Sequence, residues 1–182
     1  MVQDNLTVER INTAHPKIRE ELLEDYLECN NTILGKGVRL RFTSVLRTDE
    51  EQNKLFAIGR TVKGKKVTNA KAGESYHNYG LAFDFVLLYD NDGNGTFEEA
   101  SWDLIRDGDQ DKKADWMEVV NFFKKKGWFW GGNFKNFKDY PHLQKTFGLH
   151  WRFLKTLRKD ANGYVILEDN QEDIPGVLKS PR

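Results

Sequence analysis

Cysteine is almost missing. Cys29 is the only one in 182 residues, which excludes an internal disulfide framework. Charge of one sign is missing too. Twenty-eight Lys and Arg balance 28 Asp and Glu, so nothing favours a nucleic-acid binder that works by neutralising phosphates. No apolar run approaches the ~20 residues that span a bilayer, so membrane insertion is not expected. The chain starts without a basic head and apolar run, so the expectation is synthesis in the cytoplasm without a signal peptide. The only strongly basic stretch, Lys63-Gly64-Lys65-Lys66, reads as a solvated loop. The length suits one domain with a real core, and no internal repeat is visible.

What is present centres on Ser75-Tyr76-His77-Asn78-Tyr79-Gly80-Leu81-Ala82-Phe83-Asp84. Asp84 sits inside the strand-length apolar run of residues 81–88, where a carboxylate is costly unless paired or bound to metal. His77 lies seven residues upstream. His142 follows much later in Asp139-Tyr140-Pro141-His142, where proline enforces a bend at Tyr140. Two imidazoles and a carboxylate form a three-ligand zinc set with a position left for water, as in catalytic sites. Zinc there would bring the acidity of water near neutrality for amide hydrolysis. Asp139 is the candidate proton shuttle and Arg47 the candidate oxyanion partner. Histidine–aspartate pairs also arise by chance, so a structural metal or satisfied core histidines remain open readings.

The remaining chain reads in order. Residues 16–29 form an amphipathic helix with Pro16 at its first position and His15 in the cap region. Residues 38–46 alternate as a strand, with Val38, Leu40 and Phe42 on one face. Thr48 and Glu51 make a capping box for a helix to about Ile58. Residues 59–76 read as a long loop, a candidate lid. On the central strand, alternation puts Ala82, Asp84 and Val86 on one face and Phe83, Phe85 and Leu87 on the other, so the sheet would bear core on one side and metal on the other.

The segment 89–114 is an acidic insertion. Asp90, Asp92 and Asn94 open one oxygen-rich turn, and Asp107, Asp109 and Asp111 another. Both make calcium binding an open reading, yet each departs from the calcium-loop pattern. Ser101 takes the place of the first loop's closing glutamate, and Lys112 that of the second loop's glycine. The competing reading is a pair of polar turns, with Asp115 capping the next helix and Glu118 completing the box. Residues 115–126 form that helix, and Trp130, among the aromatics that follow, is a candidate cleft residue. A helix through about Leu157 would hold His150, and Tyr164-Val165-Ile166-Leu167 is strand-like.

The pattern Ser75-x-His77-x-x-Gly80-x-Ala82-x-Asp84, with Trp128-x-Trp130-Gly131-Gly132 and Asp139-x-Pro141-His142, resembles the zinc-dependent D,D-carboxypeptidase-like peptidases of peptidoglycan. It is most similar to the subgroup of L-alanyl-D-glutamate endopeptidases found as phage endolysins and related wall hydrolases. The resemblance covers about residues 10–148. It implies a small α+β fold with an antiparallel sheet carrying the site between helices, and zinc on His77, Asp84 and His142. It further implies Asp139 as general base and acid, Arg47 at the oxyanion, Ser75 and Trp130 near substrate, and cleavage of the peptidoglycan stem peptide between L-alanine and D-glutamate. The domain reading is a catalytic unit over 1–158 and an extension over 159–182, acting as a monomer on the wall after release, as in phage lysis. The alternatives are a D-alanyl-D-alanine carboxypeptidase of the same fold and a non-catalytic wall- or calcium-binding module.

Overall fold

The computed structural model describes residues 1–168. Five short antiparallel strands, β1 (Val38–Ser44), β2 (Ala82–Tyr89), β3 (Glu99–Ser101), β4 (Phe129–Trp130) and β5 (His142–Gln144), form an open sheet. Its order is β1-β2-β5-β4, with β3 also paired to β2. Around it lie α1 (Asn5–Ile11), α2 (Pro16–Glu28), α3 (Asp49–Ala57), α4 (Asp115–Lys125) and α5 (Trp151–Leu154). This is the expected α+β arrangement.

β2 is the spine because it is apolar on both faces. Phe83 stacks on Phe42 of β1, with ring centroids 4.1 Å apart, and meets Phe123 of α4 and Trp128 edge-on, each at 4.8 Å. Phe85 packs on Trp116 at 4.3 Å. Aromatic side chains of this size dominate core burial. They weld α4 to the sheet through its Trp116, Val119, Val120 and Phe123 stripe, all fully buried. The face of β2 expected to carry the metal bears Asp84 and is closed over. Ala82, Val86 and Leu88 are buried as well.

Local signals mostly hold. Pro16 opens α2, with His15 as N-cap accepting from the Lys17 amide. Thr48 and Glu51 form the capping box of α3. α2 runs into a wider π-type turn, Cys29–Ile33, which the sequence did not signal. The capping box foreseen for α4 is absent. Its N-cap is Ala114, with no side-chain cap, because Asp115 already lies inside the helix and turns its carboxylate to Tyr89 Oη and the Gly108 amide. His150 is likewise not inside a helix; it is the N-cap of α5. The chain after α5 folds back so that Val165 is buried and its carbonyl meets His15 Nε2 at 2.8 Å. Residues 169–182, part of the expected extension, lie outside the described residues.

Candidate metal centre and cleft

Three local structures converge at one end of β2. His77 rides on a 3-10 turn, Tyr76–Tyr79, that Ser75 and Asn78 cap reciprocally. Gly80 ends that turn in the left-handed region (φ 67°), where a Cβ would meet the His15 amide nitrogen at 2.7 Å. Asp84 and His142 are direct cross-strand partners on β2 and β5. A bulge in β1 between Phe42 and Ser44 sets Ser44 across from Asp84 and leads the chain to Arg47.

The three side chains bring His77 Nε2, His142 Nδ1 and Asp84 Oδ1 to mutual separations of 3.1 Å. The outer nitrogens settle the tautomers. His77 Nδ1 lies 2.7 Å from the Val45 carbonyl, which can only accept, so the proton is on Nδ1. His142 Nε2 donates to Gln144 Oε1 at 2.9 Å. Two imidazole lone pairs and a carboxylate oxygen therefore point at one another. A cation between them would satisfy all three. An equal-sided triangle of this edge is slightly tighter than the ~3.3 Å edge of a tetrahedron with bonds of ~2.0–2.1 Å, so the donor set fits a zinc ion. The hydrogen bonds on the far ring nitrogens are the outer supports that metal-binding histidines need.

Electrostatics agree. Burial alone would raise the Asp84 carboxyl, but the imidazoles of His77 and His142 hold it well below the usual range. Arg47 Nη2 adds an ion pair to its Oδ2 at 2.9 Å. Burial pushes the His77 imidazole down, keeping a lone pair available. Burial, and then the charge of Asp84, raise the Asp139 carboxyl.

The site floors a cleft of about 640 Å³. Arg47, Ser75 and Asp139 all line it, together with Val67–Ala70 of the long loop. Gly131 lets Asp139 approach, since a Cβ there would lie 2.4 Å from the Asp139 carbonyl oxygen. Arg47 is anchored by Gln52 and Ser44 besides Asp84. Trp130 is not on this wall. Its indole donates to the Tyr140 carbonyl at 2.7 Å, and its neighbour Phe129 faces the cleft instead. His150 lines the cleft but stands outside the three-atom cluster. Sequence reasoning missed Gln144, Gln52, Phe134 and Trp102. Trp102 comes from the acidic insertion, lines the cleft and is 56% exposed. The expected calcium residues Asp90, Asp92, Asn94, Asp107, Asp109 and Asp111 lie outside the cleft lining.

His77, Asp84, Asp139 and His142 fall in one segment that known proteins share, whereas Arg47 lies outside it. Residues 68–145 match the D-alanyl-D-alanine carboxypeptidase family. The chain is 50% identical over 110 residues to the peptidoglycan L-alanyl-D-glutamate endopeptidase CwlK of Bacillus subtilis (strain 168), covering 60% of this chain and 62% of CwlK. The match thus spans less than two thirds of that relative. A crystal structure of the Serratia marcescens L-Ala D-Glu endopeptidase ChiX aligns with a TM-score of 0.49 at 19% identity, covering 78% of this chain and 87% of that one.

Proposed function

We propose that this chain is a zinc-dependent L-alanyl-D-glutamate endopeptidase acting on peptidoglycan stem peptides. The convergence of three acceptor atoms on His77, Asp84 and His142, in the floor of a cleft that Asp139 also lines, carries this reading. The half-identical match to CwlK supports the choice of bond.

His77, Asp84 and His142 would hold the ion, with Val45 O and Gln144 Oε1 fixing the two rings. Zinc supplies Lewis acidity, activating water and polarising the scissile carbonyl. Asp139 takes the proton from the attacking water and passes it to the departing amine of D-glutamate. Its raised pKa suits a group that must both accept and return a proton. Arg47, held rigid by Asp84, Ser44 and Gln52, meets part of the negative charge that develops on the carbonyl oxygen. The loop of 67–70 and the aromatic rings of Phe129 and Phe134 wall off water and orient the peptide.

The second reading is a D-alanyl-D-alanine carboxypeptidase, favoured by the family description that matches residues 68–145. Digestion of purified muropeptides with product analysis separates them. New L-alanine carboxylates support the endopeptidase; free D-alanine without them supports the carboxypeptidase.

A further inference from the structure

The loop that carries Asp139 also carries a cation. Between β4 and β5 the chain turns back on itself, and the Gly131 carbonyl accepts from the amides of both Phe134 and Asp139 at 3.1 Å. One oxygen thus pins both ends of the intervening segment. The Phe134 ring holds it further, stacking on Phe129 with centroids 5.7 Å apart and meeting the His142 ring at 5.8 Å. Lys135 is the next residue, and it lines the cleft with Phe134 and Asp139.

The other charged or basic groups around the cleft are already engaged. Arg47 is held by Asp84, Ser44 and Gln52. Glu74 accepts from the Lys71 amide at 3.0 Å, within its own loop. His150 Nδ1 accepts from the Arg152 amide at 3.2 Å, and burial lowers its pKa, which leaves an uncharged ring. Among the described residues that line the cleft, Lys135 alone presents an ammonium group with no carboxylate partner in the protein.

The chemistry of the substrate supplies that partner, on the reading of the chain as an L-alanyl-D-glutamate endopeptidase. In stem peptides D-glutamate continues the chain through its side-chain carboxyl. Its α-carboxyl is left beside the backbone, as a carboxylate or, in amidated walls, as a carboxamide. That carboxyl sits on the same carbon as the departing amine, and Asp139 hands its proton to that amine. A group that meets the α-carboxyl must therefore stand close to Asp139, and Lys135 shares its pinned loop. A compact ammonium with three donors on a flexible stem suits a carboxylate that must leave with the product.

We infer that Lys135 binds the free α-carboxylate of the D-glutamate residue and so selects stem peptides that carry a carboxylate there over those that carry a carboxamide. The carboxamide offers an oxygen but no charge, and hydrogen bonds between ionised partners are about twice as strong as neutral ones. Lys135 is exposed and outside the three-atom cluster, so it acts on the substrate rather than on the fold or the metal ligands.

Steady-state kinetics of the zinc-loaded full chain on two peptides test this: N-acetyl-L-alanyl-γ-D-glutamyl-L-lysine and the same peptide with its D-glutamyl α-carboxyl amidated. The parent should show a kcat/KM about tenfold higher for the carboxylate form. Lys135→Met should bring the ratio of the two values close to one, with the loss falling on the carboxylate peptide and one zinc per chain retained. Lys135→Arg, which keeps the charge, should keep most of the preference. A parent indifferent to amidation, or a preference that survives Lys135→Met, would overturn the inference. So would an equal loss on both peptides in Lys135→Met, which is what a merely structural lysine would give. In each of these cases the L-alanyl-D-glutamate bond is still cleaved. A parent that cleaves neither peptide would instead overturn the endopeptidase reading, and this inference with it.

Discussion

Asp84 and His142 face each other across two antiparallel strands, and their Oδ1 and Nδ1 atoms lie 3.1 Å apart. The backbone register, rather than a flexible loop, therefore sets two of the three candidate ligands. Directly opposed residues in such a ladder hold their side chains close by construction. Only His77 comes from outside the sheet, and its 3-10 turn is tied to the segment that follows β1 by the Arg47 amide donating to the His77 carbonyl at 3.0 Å.

Gln144 lies two residues beyond His142 on the same strand face and accepts its Nε2 proton. Removing that acceptor frees the ring to turn. Gln144→Ala should lower zinc affinity about 10–100-fold. Competition with a chromogenic chelator measures this, and an unchanged affinity would show that Gln144 does not orient the ring.

Asp139 is outside the three-atom cluster yet lines the same cleft. Asp139→Ala should keep one zinc per chain while lowering turnover by about 10²–10⁴-fold. Metal analysis alongside a peptidoglycan digest checks both halves. Turnover at the parental rate would remove Asp139 from proton transfer.

Trp102 lines the cleft as an exposed ring and is not one of the three clustered residues, so it should act in binding. Trp102→Ala should raise KM several-fold with kcat little changed, the signature of lost uniform binding. Steady-state kinetics on a muropeptide resolves the two constants, and a fall in kcat alone would contradict this role.

Asp4 caps α1 and holds Arg41 of β1 through Nη2–Oδ1 and Nε–Oδ2 contacts of 2.6 and 3.0 Å. Burial would raise its carboxyl, but the Arg41 and Thr7 bonds outweigh it and set the folded pKa below the usual value. The stabilisation is thus complete above the unfolded pKa of ~3.9 and lost as pH falls through the folded value. Asp4→Asn should cost on the order of 1 kcal/mol at pH 7, given the partial exposure of the pair. The gap to the parent should close at acid pH. Thermal melts at pH 7 and pH 3 read both, and a gap that widens in acid would contradict the assignment.

Much of this was legible in the residues. The alternation of 38–44, the capping box at Thr48 and the buried-strand run around Asp84 are local signals, and local physics decides them. The convergence of His77, Asp84 and His142 was legible because a carboxylate in an apolar strand demands a partner, and His77 and His142 were the histidines with a carboxylate or bend beside them. Other features were set by contacts distant in sequence. Trp130 and Phe129 share a two-residue strand, too short for alternation to say which ring meets the cleft. Asp115 and Glu118 fit a capping box by spacing, yet the Tyr89 hydroxyl and the neighbouring loop carboxylates draw them elsewhere. Trp102 reaches the cleft only because β3 pairs with β2, a register that its short acidic surroundings do not signal.

X-ray absorption at the zinc edge of the purified chain tests the central claim most directly. The account predicts one zinc per chain, with two imidazole nitrogens and oxygen neighbours at ~2.0–2.1 Å, and loss of that spectrum in His142→Ala. A chain that takes up no zinc, or a zinc environment unchanged by His142→Ala, would contradict it.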